Sequence, residues 1–130
     1  MNKYRSLKAW QRAREITLLV MRSTDAAYHP RCASLFDQLR RAALSIELNI
    51  VEGYALSTRP QFLRHLRISI GSAAEAQCAT EIIKELGYLK AETIEQLDGL
   101  LDEVIACLFG LLKWLGQRRT APRSRLPAPD

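Results

Sequence analysis

The chain has little with which to do chemistry. It holds two histidines, His29 and His65, and three cysteines, Cys32, Cys78 and Cys107. A di-iron helical bundle builds its metal site on Glu-x-x-His pairs. Here Phe62 stands three residues before His65, and His29 precedes a proline in a connecting segment. A histidine-containing metal site of that kind is therefore not expected. Neither histidine has a recognisable pairing with a serine or cysteine nucleophile, and there is no phosphate-cradling glycine loop. The expectation is no catalytic residue, no cofactor and no metal. The cysteines are odd in number and far apart, which excludes a disulfide framework and suits reduced, mostly core thiols. No apolar run approaches the ~20 residues of a membrane span. The charged N-terminus is not followed by an uninterrupted apolar stretch with a small-residue cleavage site, so neither a signal peptide nor a membrane partner is expected. The expected location is the cytoplasm. No strand-like alternation and no internal repeat is present.

What is there is helical periodicity, four times over. Leu7, Trp10, Ala13, Thr17 and Val20/Met21 recur at helical steps over about Ser6 to Ala27, with Ser6 as the expected cap. A second helix is expected from about Ser34 to Gly53. A third is expected from Ser57 or Thr58, with Pro60 in its first turn, to Leu86 and a stop at Gly87. Its apolar and small residues fall on two sides, Phe62, Leu66, Ile70 and Ala73 on one and Ile68, Gly71, Ala79 and Ile82 on another. The fourth, about Ala91 to Leu115 with Gly116 as its end, carries the cleanest seam: Ile94, Leu97, Leu101, Val104, Leu108, Leu111 and Leu115. The two tryptophans are expected to pack at helix ends, and Gly71-Ser72 to permit a close helix approach. Short connections make successive helices antiparallel neighbours. The fold expected over residues 1–116 is all-α, an up-down-up-down antiparallel four-helix bundle. Residues 117–130 hold three prolines and four arginines and read as a basic, flexible tail.

The second helix is the most informative element. One apolar row runs Leu35, Leu39, Ala42/Ala43, Ile46, Ile50 and Gly53; a second, Leu44, Leu48, Val51 and Ala55, lies on nearly the opposite side. A helix in a monomeric bundle needs only one such stripe. The second predicts a homo-oligomer with Leu44, Leu48 and Val51 buried between subunits. A stable monomer at micromolar concentration would overturn that reading.

Charge is sorted along the chain. Residues 1–67 hold twelve Lys/Arg against five Asp/Glu, residues 68–116 three against eight, and the tail four against one. Up-down topology gathers Lys3, Arg5, Lys8, Arg12, Arg59, Arg64, Arg67, Lys113, Arg118 and Arg119 at one pole. Glu81, Glu85, Glu92, Glu95 and Asp98 fall toward the other. A basic end attracts phosphate backbones. Lys3, Arg5, Lys8, Arg12, Arg59, Arg64 and Arg67 are the candidate nucleic-acid contacts, although Tyr4, Tyr54 and Phe62 are too few and scattered to indicate base stacking. Gln38, Arg41, Ser45, Asn49 and Glu52 form a polar line on the second helix. It is expected to fix helix register as a hydrogen-bonded network, with Glu75 paired to Arg41 or Arg40 within or between subunits.

Some blocks are more specific than periodicity. They are Gln38-Leu39-Arg40-Arg41-Ala42-Ala43, Ser45-Ile46, Asn49-Ile50 and Glu52-Gly53, with Leu7-Lys8, Trp10-Gln11 and Ala13. Phe62-Leu63, Leu66, Ile68, Gly71-Ser72, Glu75 and Leu86-Gly87-Tyr88 complete the set. Together they resemble the bacterial four-helix bundle family named for open reading frames in 23S ribosomal RNA intervening sequences, in register over about Leu7 to Tyr88. The resemblance implies a small cytosolic bundle that forms ring-shaped pentamers. A relative, the accessory variability protein of diversity-generating retroelements, has a similar fold and associates with a reverse transcriptase and nucleic acid through a basic surface. The family has no firmly assigned activity, and its place within an rRNA gene region is genomic context. Glu47-Leu48 stands where the family usually has Pro-Ser, which leaves a kink in the second helix unsupported, and Gln77 replaces a frequent second acid after Glu75. The functional expectation is a non-enzymatic oligomeric adaptor binding RNA or DNA electrostatically. The alternative is a protein-interaction scaffold with a protein partner and no nucleic acid.

Overall fold

The computed structural model describes residues 3–117. Four helices run α1 (Lys8–Ala26), α2 (Ala33–Ala55), α3 (Arg59–Leu86) and α4 (Ala91–Gln117), with 3-10 turns at Lys3–Ser6 and Pro30–Cys32. Each helix packs against its neighbour in sequence, and α4 closes on α1, so the four form an antiparallel ring around one core. Arg12 of α1 reaches Glu103 of α4, and Arg14 of α1 reaches Glu47 of α2, which fixes the up-down order. The all-α four-helix bundle expected from periodicity is the fold of the protein. The tail expected at 117–130, with Arg118 and Arg119, lies outside the described residues apart from Gln117.

The seam on α4 is buried at every expected position, Ile94 through Leu115, and so are Leu39, Ala42, Ala43, Ile46, Ile50 and Gly53 on α2. The α2–α3 seam is the closest-packed. Small residues line it, and a Cβ added at Gly53 would lie 2.7 Å from the His65 Cβ and 3.1 Å from Phe62 Cδ1. Gly87 ends α3 with φ 71°, the left-handed conformation expected of a stop glycine, and Pro60 sits in the first turn.

The helix ends and one helix face depart from the sequence reading. Ser6 does not cap α1: its hydroxyl donates to the Lys3 carbonyl inside the 3-10 turn, and Leu7 occupies the cap position without a side-chain bond. Thr58 caps α3 in position only, donating to Gln61 Oε1 at 2.7 Å. Gly116 does not end α4, which continues through Gln117. On α3, Ala79 is buried, but Ile68, Gly71 and Ile82 are exposed, so one side of that helix is covered and not two. Cys32 is buried, Cys107 half-buried and Cys78 exposed. Among the described residues no helix is long and apolar enough to cross a membrane.

Candidate interaction surfaces

The first surface is the basic pole. The turn Lys3–Ser6 folds back on α1 and α2, which places Tyr4 edge-on to Trp10 at 5.4 Å between ring centroids. The Arg5 guanidinium lies 5.3 Å from the Trp10 ring centre and 5.7 Å from that of Tyr4, and Arg14 lies 5.1 Å from Trp10. Trp10 is thus a buried aromatic flanked by two cations. Its indole N–H has no hydrogen-bond partner among the described residues. Arg59 donates to the Leu115 carbonyl at 2.9 Å, tying the start of α3 to the end of α4 and closing the pole.

The cations of this pole are not equivalent. Arg12 is held by Glu103 and Glu15, each at 2.6 Å, and these carboxylates, Glu103 foremost, raise its pKa above the ordinary arginine value. Its charge is already answered within the chain. Among the described residues Lys3, Arg5, Lys8, Arg64 and Arg67 form no ion pair, and all five are exposed. The free positive charge of the pole therefore rests on these five, with Arg59 half-engaged through its backbone bond.

The second surface is the outer face of α2. Leu48 is 57% exposed and Leu44 38%, and Val51 is half-buried. The chain's own bundle leaves Leu44 and Leu48 uncovered, whereas Val51, expected with them at a subunit interface, packs in part against the core of its own chain. Leu18 of α1, 40% exposed, extends the row. Arg14–Glu47 and Arg40–Thr24 fix the α1–α2 register, and that register sets Leu18 level with Leu44. Beneath the row lies a residue that periodicity does not flag. Glu47 is 4% exposed; its carboxylate accepts from Arg14 Nε at 2.7 Å and from Thr17 Oγ1 at 2.8 Å. Nothing local in the sequence marks Glu47 as buried, because its partners lie on another helix.

The polar line divides in two. Ser45 Oγ and Ser72 Oγ lie 2.7 Å apart, and the Asn49 amide donates to the Ser45 carbonyl at 2.8 Å. Asn49 Oδ1 is then the acceptor for His65 Nδ1 at 2.8 Å, which places the proton on that nitrogen. His65 Nε2 faces Glu52 at 3.4 Å, and Ser69 donates to the Ile46 carbonyl at 2.8 Å. Asn49 and Glu52 thus belong to a network stitching α2 to α3. Its centre is His65, 5% exposed, a residue that apolar spacing gives no reason to place in a seam. Gln38, Arg41 and Glu75 are exposed and outside it. Glu75 makes no ion pair with Arg41 or Arg40 within the chain, and Arg40 is instead bonded to Asp25 and Thr24.

No three His, Cys, Asp or Glu side chains converge as a metal site among the described residues. No curated protein matches the chain. The model of the 23S rRNA-intervening sequence protein family matches residues 5–110, which spans all four helices up to the last two turns of α4. The blocks along α2 and α3 that carry the resemblance also build the closest seam of this bundle, and on that match the chain belongs to the 23S rRNA-intervening sequence protein family.

Proposed function

We propose that this protein is a non-enzymatic, oligomeric four-helix bundle that binds nucleic acid electrostatically through its basic pole. The observation that carries this reading is the group Lys3, Arg5, Lys8, Arg64 and Arg67, exposed at one end of the bundle without carboxylate partners among the described residues. Exposed cations with no internal counter-charge are available to phosphates. Arg59 supports the site and Arg12 contributes less, since two carboxylates already hold it. Oligomerisation through Leu44, Leu48 and Val51, extended by Leu18, would cover the bare face of α2. A count of five copies follows only from the resemblance. RNA is the first nucleic acid to test, and the cytoplasm remains the expected site of action.

Binding should be measured by fluorescence anisotropy with single-stranded and duplex RNA and DNA, between 50 and 200 mM salt. Each phosphate contact releases condensed counterions, so five contacts predict a fall in affinity of roughly 10²-fold to 10³-fold over that range. The variant Arg64→Glu/Arg67→Glu should weaken binding to every sequence alike and flatten the salt dependence. Salt-insensitive binding, or none at 50 mM salt, overturns the reading. A scaffold for a protein partner is the second reading, favoured by Ile82 and Leu86, 42% and 53% exposed at the far end of α3 away from the basic pole. A specific protein that stays bound after nuclease treatment would support it.

A further inference from the structure

The bare ridge on α2 needs a complementary surface, and the same molecule carries one on α4. The outward face of α4 carries small residues on either side of Glu103: Gly99, Ala106 and Gly110 are all exposed. A Cβ built at Gly99 or at Gly110 meets nothing within 4 Å, so neither glycine serves a close approach inside this chain. Glycine weakens a helix interior, and nothing within the bundle repays the two on this face. Charged residues bracket the part of this face that forms a notch, Ala106 and Gly110, with Glu103 before it and Lys113 after it. The ridge has the opposite order, with Arg41 before Leu44 and Leu48, and Glu52 after.

We propose that α2 of one copy docks into this notch on α4 of a second copy, with the two helices parallel. The inference rests on the oligomeric reading above and names the partner face. In the docked register Arg41 meets Glu103, Leu44 lies on Ala106, Leu48 enters the notch at Gly110, and Glu52 approaches Lys113. Only one of the two Glu103 oxygens is bonded to Arg12, so the other is open to Arg41. Levels traced through α3 match this register, and levels traced through α1 do not. Ser45 is level with Ser72, and Gln77 with Asp102, which sets Ser45 level with Cys107. The docked pairs share that spacing. By way of α1, through Arg14–Glu47 and Arg12–Glu103, the level falls about two turns nearer the start of α4. A slide within that range selects the pairs that match in size and charge. Because α2 and α4 run the same way in one bundle, rotation about an axis along the bundle brings one copy's α2 parallel to the next copy's α4. Unlike faces meeting in this way give a heterologous contact, which closes into a ring or runs on as a filament.

The test is charge and size exchange in the full chain, read by multi-angle light scattering at micromolar concentration with circular dichroism as the folding control. Arg41→Glu and Glu103→Arg should each lower the assembled mass, and the double variant should restore it. Gly110→Leu should also lower the mass, while the dissociated bundle melts no lower than wild type, since leucine suits a helix better than glycine. Suppose Glu103→Arg and Gly110→Leu keep the wild-type mass while Leu48→Glu dissociates it. Assembly through α2 then stands, and α4 is overturned as the partner face. If Leu48→Glu also leaves the mass unchanged, or the wild type is a monomer, the oligomeric reading falls with it.

Discussion

Gly53 shows how a single atom sets a seam. The contact it permits lets α2 and α3 approach until the His65 Cβ lies where an alanine methyl would stand, at 2.7 Å from that position. Both atoms in the clash belong to stiff parts of the structure, so relief requires the helices to part. Gly53→Ala should therefore lower stability by about 1–3 kcal/mol, the range for overpacking a close contact, despite alanine's better helix propensity. Urea unfolding checks it, and a stability equal to or above wild type refutes the tight seam. The same comparison at Gly99 runs the other way: with open space around its Cβ, Gly99→Ala should raise the stability of the dissociated bundle by up to about 1 kcal/mol. Helix ends belong to this scale too. Ser6 and Gly116 carry the right residue types for a cap and a stop, and the protein uses them for neither. Residue type states a preference worth about 1 kcal/mol, which at Ser6 the neighbouring 3-10 turn outweighs.

At the level of the helix, apolar spacing was a faithful guide wherever the governing contacts were those of one core. The seven α4 positions from Ile94 to Leu115 are all buried, and so is the inner row of α2 from Leu39 to Gly53, with Leu35 at its start half-buried. Periodicity could not see what one helix offers another. Glu47 sits between Ile46 and Leu48 on α2 with no local sign of burial, yet Arg14 and Thr17 on α1 take both its oxygens. His65 is equally silent until α2 comes alongside, and Ser72, expected only to permit a close helix approach, bonds Ser45 across that seam. Such pairs span helices, and their partners are set by topology and register, which no local window contains. The α1–α2 pair yields an asymmetric prediction. Arg14→Ala removes the cation and leaves a buried carboxylate with Thr17 alone, which should cost about 2 kcal/mol. Glu47→Leu removes the charge and fills the space, leaving a half-exposed arginine free to turn to water, and should be near neutral or stabilising. Thermal melts of both variants decide this: if Glu47→Leu is the more damaging of the two, the pair holds the helices by more than satisfying a buried charge.

For the molecule as a whole, the direction in which copies repeat determines what the basic poles can do. Repetition about an axis along the bundle would turn every pole to the same side, so that Lys3, Arg5, Lys8, Arg64 and Arg67 recur from each copy as one basic surface. A two-fold pairing with antiparallel bundles would send the poles in opposite directions. The first arrangement makes nucleic-acid binding multivalent: once one pole is seated, the next engages the same strand at high effective concentration, and avidity exceeds single-pole affinity by about 10²-fold to 10⁴-fold. Leu48→Glu places a carboxylate in the middle of the ridge without touching a pole residue, and should yield a folded chain of lower mass. Its affinity for a 30-nucleotide RNA should fall at least about 10²-fold, whereas its affinity for an RNA too short to span two poles should match that of the wild type. The two lengths separate causes that a single measurement would merge. Equal losses on both would mean the substitution damaged the pole itself, and a dissociated variant with undiminished affinity for the long RNA would show that the poles act singly, whatever the assembly that carries them.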